Sequence, residues 1–193
     1  MTRSTFAAIA LCALVLPMLT AGCVPFIVAG AAGTALMATD RRSAGAQVDD
    51  TAIETRISSN AQERYADRAH ISVTSYNGIV LLTGEVPDAA GKAAMTDVAR
   101  STTAVRSVQN ELVVAPPSEL GSRTHDTYLT SVVKTRFLEA TDRFSATQVK
   151  VVTDRGVVYL MGIVRRAEAD AAAQIAASTK GVVRVVKVFE YLD

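Results

Sequence analysis

The sequence predicts an α+β fold made of two tandem copies of one small module, each ordered helix, strand, strand, helix, strand. Residues 71–86 recur 78 positions later as residues 149–164, with both glycines and six apolar positions in register and no gap. Similarity at a fixed spacing indicates a duplicated structural unit. Within the first copy, Asn77-Gly78 separates two strand-like stretches, which predicts a hairpin because a type I′ turn needs positive φ at both residues.

The duplication extends to both sides of this block. Residues 50–57 align with residues 126–133 at a spacing of 76, and residues 104–112 align with residues 181–189 at a spacing of 77. The small shifts place insertions between the blocks, where loops tolerate them. Each module therefore covers roughly 65 to 70 residues, near the lower size limit for a chain that buries its own core.

The N-terminus predicts export and lipidation. Arg3 precedes an apolar stretch over residues 6–19, which is shorter than the ~20 residues of a membrane helix, so residues 1–22 are expected to be a signal peptide. Gly22-Cys23 resembles the lipobox of bacterial lipoproteins, which implies acylation of Cys23 and cleavage before it. Val24 stands where an inner-membrane retention signal would have Asp, and this implies delivery to the outer membrane. The alternative is a plain secretory peptide with an incidental cysteine.

Composition narrows the function classes only slightly. The chain is 49% hydrophobic and 20% charged, which is typical of globular proteins. Its formal net charge of +1 argues against a general nucleic-acid binder. Cys12 lies in the segment expected to be removed, so Cys23 would be the sole cysteine of the mature protein and no internal disulfide is expected.

Four segments are expected after the signal peptide. Residues 23–49 would form a lipidated apolar tether, in which residues 24–39 are small and apolar but too few to span a membrane. The first module is predicted over residues 50–114 and the second over residues 123–193. The linker between them, residues 115–122, contains Pro-Pro and is expected to be extended.

Local signals place the elements of each module. Ile53 and Ile57 share one helix face, and Asp50 or Thr51 is the expected N-cap. Strands follow on both sides of the Asn-Gly turn, and the turn of the second module is expected to be slightly longer. The remaining helices and last strands are predicted over residues 88–101, 105–114, 166–178 and 182–191.

Two mid-strand glycines occupy matched positions in the two copies. Gly84 and Gly162 lie in the returning strands, where glycine is costly unless another part of the chain approaches closely. We expect a helix to sit against the sheet at these positions.

The element order, the Asn-Gly hairpin, the Val-Leu-Leu-Thr-Gly strand of residues 80–84 and the Ala-Val-x-x-Val-x-Asn ending of residues 104–110 together resemble the BON domain. Two copies behind a lipobox resemble the dual-BON outer-membrane lipoproteins, and this resemblance covers nearly the whole chain. It implies two BON modules, each a small mixed three-stranded sheet packed by two helices. It also implies binding to anionic phospholipid, a role in envelope integrity and no known enzymatic activity.

The residues themselves offer no catalytic constellation. The two histidines, His70 and His125, stand at element boundaries, where solvated side chains are expected rather than acid–base groups. No Cys or His cluster has metal-ligand spacing. We therefore expect a protein without cofactor, metal or enzymatic activity.

The first helix of the second module carries the predicted lipid site. The stripe beside its core face holds Tyr128, Val132 and Arg136, where the first copy has Ala52, Arg56 and Asn60. An apolar face bordered by positive charge is typical of a helix at an anionic bilayer interface. The predicted lipid-binding residues are Tyr128, Val132, Lys134, Arg136 and Leu138. Net charge agrees, since residues 50–114 carry −2 and residues 123–193 carry +3.

Two alternatives remain open for this sequence. Tyr128 and Val132 could pack between the modules instead of contacting lipid. The protein could also be an adaptor that binds proteins of outer-membrane assembly or of the cell-wall and division machinery, with enrichment at the division site. Nucleic acid is not an expected partner.

Overall fold

The computed structural model describes residues 40–140 and 142–193. Cys23 and the signal peptide and most of the tether lie outside the described residues. The first module contains α1 (Ala44–Tyr65), a 3-10 turn (Ala66–Arg68), β1 (His70–Tyr76), β2 (Ile79–Val86), α2 (Ala89–Ser101), β3 (Ser107–Asn110) and β4 (Val113–Val114). The second contains α3 (Leu120–Glu139), a 3-10 turn (Ala146–Gln148), β5 (Lys150–Asp154), β6 (Val157–Val164), α4 (Arg166–Ala177) and β7 (Arg184–Tyr191). The predicted fold class and element order are confirmed, except that the strand predicted over residues 105–114 is divided into β3 and β4, which gives the first module four strands instead of three.

Each module builds a mixed sheet around a central strand. In the first, β2 pairs antiparallel with β1 and parallel with β3 and β4. In the second, β6 pairs antiparallel with β5 and parallel with β7. The antiparallel pairs are joined by tight hairpins, whereas each parallel pair needs a crossover, which α2 or α4 supplies.

The two helices of a module cover one face of its sheet and enclose its core. The predicted helix stripes are buried in both copies, and the glycine-flanked central strands contribute the apolar residues opposite them. The first core centres on Ile53, Ile57, Val80, Leu82, Val86, Met95 and Leu112. The second core centres on Val133, Phe137, Phe144, Val151, Val158, Leu160 and Val164. Each module thus has a core of its own.

A buried aspartate joins the first helix of each module to its hairpin turn. The carboxylate of Asp50 accepts the backbone N–H groups of Asn77 and Gly78 at 2.8 and 2.9 Å. Asp50 therefore lies inside α1, and the expectation that it or Thr51 caps the helix is wrong. The cap is Ser43, whose hydroxyl accepts the N–H of Ala46.

The same arrangement explains the second hairpin. Asp126 accepts the N–H groups of Arg155 and Gly156, both at 2.8 Å. Arg155 and Gly156 have φ values of 51° and 73°, close to the 52° and 74° of the Asn-Gly turn. The expected longer turn is therefore wrong, because the paired hydrogen bonds hold Arg155 in the left-handed region that Asn tolerates more readily.

A close backbone carbonyl oxygen, and not a packed helix, makes glycine necessary at the two mid-strand positions. A Cβ at Gly84 would collide with the carbonyl oxygen of His70, and one at Gly162 would collide with that of Gln148. His70 is the first residue of β1, and Gln148 ends the 3-10 turn that leads into β5. The close approach predicted from these glycines exists, but its expected partner was wrong.

The two modules pack against each other through their sheets. The face of β2 that points away from the first core contributes Leu81, and the corresponding face of β6 contributes Tyr159, Met161 and Ile163. These residues are buried together with Tyr76. The described part of the chain is therefore layered as helices, sheet, sheet and helices, which resembles a sandwich in its central layers.

We expect Asp126→Ala to destabilise the protein by roughly 2 to 4 kcal/mol, because one buried and one partly buried N–H group of the hairpin would lose a charged acceptor. Asp126→Asn, which keeps one acceptor oxygen, should lose less. Urea unfolding followed by circular dichroism measures both values. Asp97→Ala, an exposed helical aspartate of the first module, is the control, and an equal effect at the two positions would contradict the role assigned to Asp126.

Candidate lipid-binding surface

The side of α3 that faces the sheet is buried in the second module. Leu129, Val133 and Phe137 are buried there, and Asp126 holds the hairpin turn from the same side. An α-helix turns by about 100° per residue. The residues on the opposite side of α3 therefore face away from the sheet.

The five predicted lipid-binding residues divide between two flanks of α3. Tyr128 and Leu138 are each 63% exposed, Lys134 is exposed, and Val132 is half-buried. Tyr128, Val132 and Arg136 follow one flank, and Lys134 and Leu138 follow the other. The predicted residues share the helix but do not form one stripe.

Arg136 is engaged with the protein itself. Its guanidinium donates to the carbonyl oxygen of Ile175 at 3.1 Å and to the hydroxyl of Thr179 at 2.7 Å. It therefore ties α3 to the end of α4. Lys134 has no ion pair within the described part of the chain, so its charge is available on the surface.

Between the two flanks, the outward face of α3 is rich in hydroxyl side chains that are already hydrogen-bonded. Each donates to the backbone carbonyl four residues earlier, at 2.9 to 3.0 Å: Thr124, Thr127, Ser131 and Thr135. Their donors are thus satisfied along the helix itself. The threonine methyl groups remain available for contact. Removing water from this face costs little free energy, because the hydroxyl donors already have partners.

Leu120 extends this face and was missed from the sequence. It is 74% exposed and begins α3, whereas the Pro-Pro signal placed it in the linker. Leu120 and Leu138 lie five helical turns apart, so they point in the same direction about 27 Å from each other. The outward face is defined as Leu120, Tyr128, Leu138 and the four hydroxyl residues, and exposed Glu139 lies beside it at the end of α3.

The matching face of α1 differs in composition. At the spacing of 76, Leu120, Tyr128 and Leu138 correspond to Ala44, Ala52 and Gln62. The exposed side of α1 also carries Asp49, where α3 has His125. The other exposed acid, Glu63, has an exposed counterpart in Glu139 of α3. Helices with the same structural role therefore present different surfaces.

Two arginines tie the start of the described chain to both modules. Arg41 pairs with Glu168 at 2.7 Å and donates to the carbonyl oxygen of Ile163, and this hydrogen-bonded pairing lowers the pKa of Glu168 to about 2. Arg42 pairs with Asp50 at 2.9 Å and lies 4.0 Å from the ring centroid of Tyr76. The first described residues, 40–42, therefore lie at the junction of the modules.

A second group of charges lies inside the module interface. Glu85 on β2 is 1% exposed, accepts the N–H of Ser118 at 3.1 Å and lies 3.3 Å from Nδ1 of His70 without a hydrogen bond to it. Asp154 of the other module accepts the N–H of Gly84 at 3.3 Å. Burial raises the pKa of Asp154, and the nearby charge of Glu85 raises it further.

We expect Asp154→Asn to stabilise the protein at pH 7 and to have less effect near pH 3. The folded state holds the Asp154 proton more tightly than the unfolded chain, so the contribution of this group is most favourable below its ordinary pKa of 3.8 and weakens as the pH rises through the raised value. Thermal unfolding at both pH values measures the difference, and a gain of about 1 kcal/mol would raise Tm by roughly 2 to 4 °C. Asp97→Asn is the control, and a loss of Tm at pH 7 would contradict the expectation.

Among residues 40–140 and 142–193, no group of three or more His, Cys, Asp or Glu side chains is arranged to hold a metal ion. No helix in the same ranges is long and apolar enough to cross a membrane.

The BON domain model matches residues 49–116 and 125–193. The chain belongs to the BON domain family. The match spans most of the sequence and repeats once in each module, in agreement with the duplicated αββαβ architecture. The resemblance stated from the hairpin and strand motifs is confirmed.

Two relatives match over most of their own lengths. The chain is 40% identical over 175 residues to outer membrane lipoprotein DolP of Haemophilus influenzae, covering 89% of this chain and 90% of that protein. It is 36% identical over 156 residues to the 21 kDa hemolysin of Actinobacillus pleuropneumoniae, covering 80% of each chain. The protein is therefore of the DolP type among BON proteins.

A solved structure also resembles part of the chain. The C-terminal domain of CdsD, a structural protein of the type III secretion system of Chlamydia trachomatis, matches with a TM-score of 0.27 and 14% identity, covering 72% of this chain and 96% of that one. This likeness is too weak to bear on function.

Proposed function

We propose that this BON protein is a lipid-anchored protein of the outer membrane that binds anionic phospholipid on the periplasmic side and supports outer-membrane integrity. The outward face of α3 is its contact surface, and Cys23 is its anchor. The proposal is a binding function without catalysis. The name of the Haemophilus relative, an outer membrane lipoprotein, supports the location.

The observation that carries the proposal is the composition of the outward face of α3. It combines three exposed apolar side chains with hydroxyl groups that need no water partner, and cationic Arg123 and Lys134 lie along its margin. Apolar side chains bordered by Lys or Arg are typical of a helix that rests in a bilayer interface. Tyr128 suits the boundary, because its ring can enter lipid while its hydroxyl stays hydrated.

The energetic balance favours apolar contact over charge. Burial of a large apolar side chain contributes about 1.5 to 3 kcal/mol, and three such residues are exposed on this face. Each well-placed Lys or Arg near an anionic surface contributes about 1 kcal/mol. Salt should therefore weaken binding only partly, because screening acts on the smaller contribution.

The alternative placement of Tyr128 between the modules finds no support in the geometry. The modules meet through β2 and β6, and Tyr128 is 63% exposed on the far side of α3 from the second core. A protein partner remains the second candidate, since an exposed apolar face also suits protein contact. Vesicle binding that requires anionic lipid separates the two.

We expect Tyr128→Glu to weaken binding to phosphatidylglycerol vesicles by more than tenfold. The change removes the ring that would be buried in lipid and adds a negative charge that the anionic surface repels. Vesicle co-sedimentation of residues 40–193 measures the loss, and circular dichroism checks the fold. Ala52→Glu places the same charge at the equivalent position of α1 and should change little. Equal losses from both variants, or lipid-induced NMR shifts that avoid residues 120–138, would argue against this face.

We expect Cys23→Ala to abolish acylation of the full-length protein and its retention in the outer membrane. Replacing the thiol removes the only atom of this cysteine that can carry the diacylglyceryl group, and stable anchoring requires more than one acyl chain. Membrane fractionation and mass spectrometry of the N-terminus provide the measurement. Normal acylation elsewhere in the variant would contradict the anchor.

A further inference from the structure

A groove of about 380 Å³ lies between the modules, beside the C-terminal half of α3. The first module contributes Arg42 and Tyr76 to its wall. The second contributes apolar side chains and Lys134 from α3, the 3-10 turn and β5. Leu138 belongs both to this groove and to the outward face of α3, so the two surfaces are continuous.

The charges around the groove leave one cation unbalanced. Arg42 is neutralised by Asp40 and Asp50, and Lys150 pairs with Glu54 at 3.0 Å. Lys134 has no such partner in residues 40–140 and 142–193. The rim thus suits a ligand with one negative charge.

The apolar part of the groove lies next to this lysine. Phe137, Leu138 and Val149 line it along one side, and Leu138 is the exposed member of the three. A volume of about 380 Å³ is near the lower end of the range for small-molecule sites. It can hold part of an amphiphile, such as one acyl chain, while the rest stays in the bilayer.

We propose that this groove holds one anionic phospholipid molecule, with its phosphate at Lys134 and one acyl chain along Phe137, Leu138 and Val149. This site rests on the proposed affinity for anionic phospholipid and adds a single-lipid site to the flat contact of α3. Because the groove opens beside the outward face, a lipid under α3 can enter it without crossing bulk water. The lipid would contact both modules and so strengthen their junction.

The test uses residues 40–193, which contain both hydrophobic cores and the module interface. Titration with dihexanoyl phosphatidylglycerol below its micelle concentration, followed by ¹H–¹⁵N NMR, should give saturable shifts at residues 134–138 and 147–150. Dihexanoyl phosphatidylcholine should bind about fivefold more weakly, since it carries no net charge to balance Lys134. Glycerol phosphate, which has no chains, should give no saturable shifts there.

Variants separate the groove from the outward face. Thr147→Trp fills the groove from an exposed position and should abolish binding of the soluble lipid while vesicle binding persists. Tyr128→Glu should abolish vesicle binding while binding of the soluble lipid persists. Lys134→Ala should weaken the soluble lipid about fivefold, whereas Lys180→Ala, an equal change of charge on an exposed lysine outside the groove, should not.

Three results would overturn the site. Saturable shifts confined to the outward face would place the lipid there alone. Equal affinity for the two short-chain lipids would remove the role of Lys134. Unchanged affinity for the short-chain phosphatidylglycerol in a folded Thr147→Trp or Lys134→Ala variant would show that the lipid does not bind in the groove. Loss of vesicle binding in Tyr128→Glu with intact groove binding would leave both sites standing as separate properties.

Discussion

The bond between the first helix and the hairpin turn sets the geometry of each module. Asp50 and Asp126 each accept two backbone N–H groups of a turn that lies 27 to 30 residues further along the chain. The bond fixes both the position of the helix on the sheet and its rotation about its own axis. Since Asp126 and the core stripe point inward, Tyr128 and Leu138 must point outward. The proposed lipid surface is thus a consequence of a buried carboxylate on the other side of the helix.

Packing of sheet against sheet leaves the helices on the outside. The residues of β2 and β6 are buried on both faces, except at the first position of each strand. Two-sided burial favours continuous apolar runs instead of alternation, and residues 157–164 form such a run. If the modules had met through their helices, the outward face of α3 would have been covered. The arrangement of the sheets therefore leaves α3 exposed for the proposed lipid contact. The same interface holds two acidic side chains, and the charge of Glu85 raises the pKa of Asp154.

Local signals predicted local structure well. The repeat, the Asn-Gly turn and the helix predicted from residue 88 are visible in a few adjacent residues, and the structure has them where they were expected. Asp88 caps this helix by accepting the N–H of Gly91. Features that depend on distant contacts were not visible. The sequence around Asp50 does not predict its hydrogen bonds to a turn that begins 27 residues away. The sequence around Arg136 does not predict its hydrogen bonds to the end of α4. Leu120 was assigned to the linker because Pro-Pro and Gly signals dominate that stretch. Its distance of five helical turns from Leu138 could have identified it as part of the same helix face.

The proposed anchor and the proposed contact face of α3 would hold the protein at the bilayer with different strengths. An acylated Cys23 would hold the protein at the bilayer, and the 16 residues of the segment 24–39 can extend at most about 60 Å. The folded unit would then be confined near the membrane at an effective concentration that is in the millimolar range for short linkers. A face with millimolar affinity for lipid is weak in solution but is occupied much of the time under this confinement. Arg41 and Arg42 add a geometric constraint, because they fix where the tether meets the modules. In the proposed arrangement, the three exposed apolar side chains of α3 would supply orientation as well as affinity.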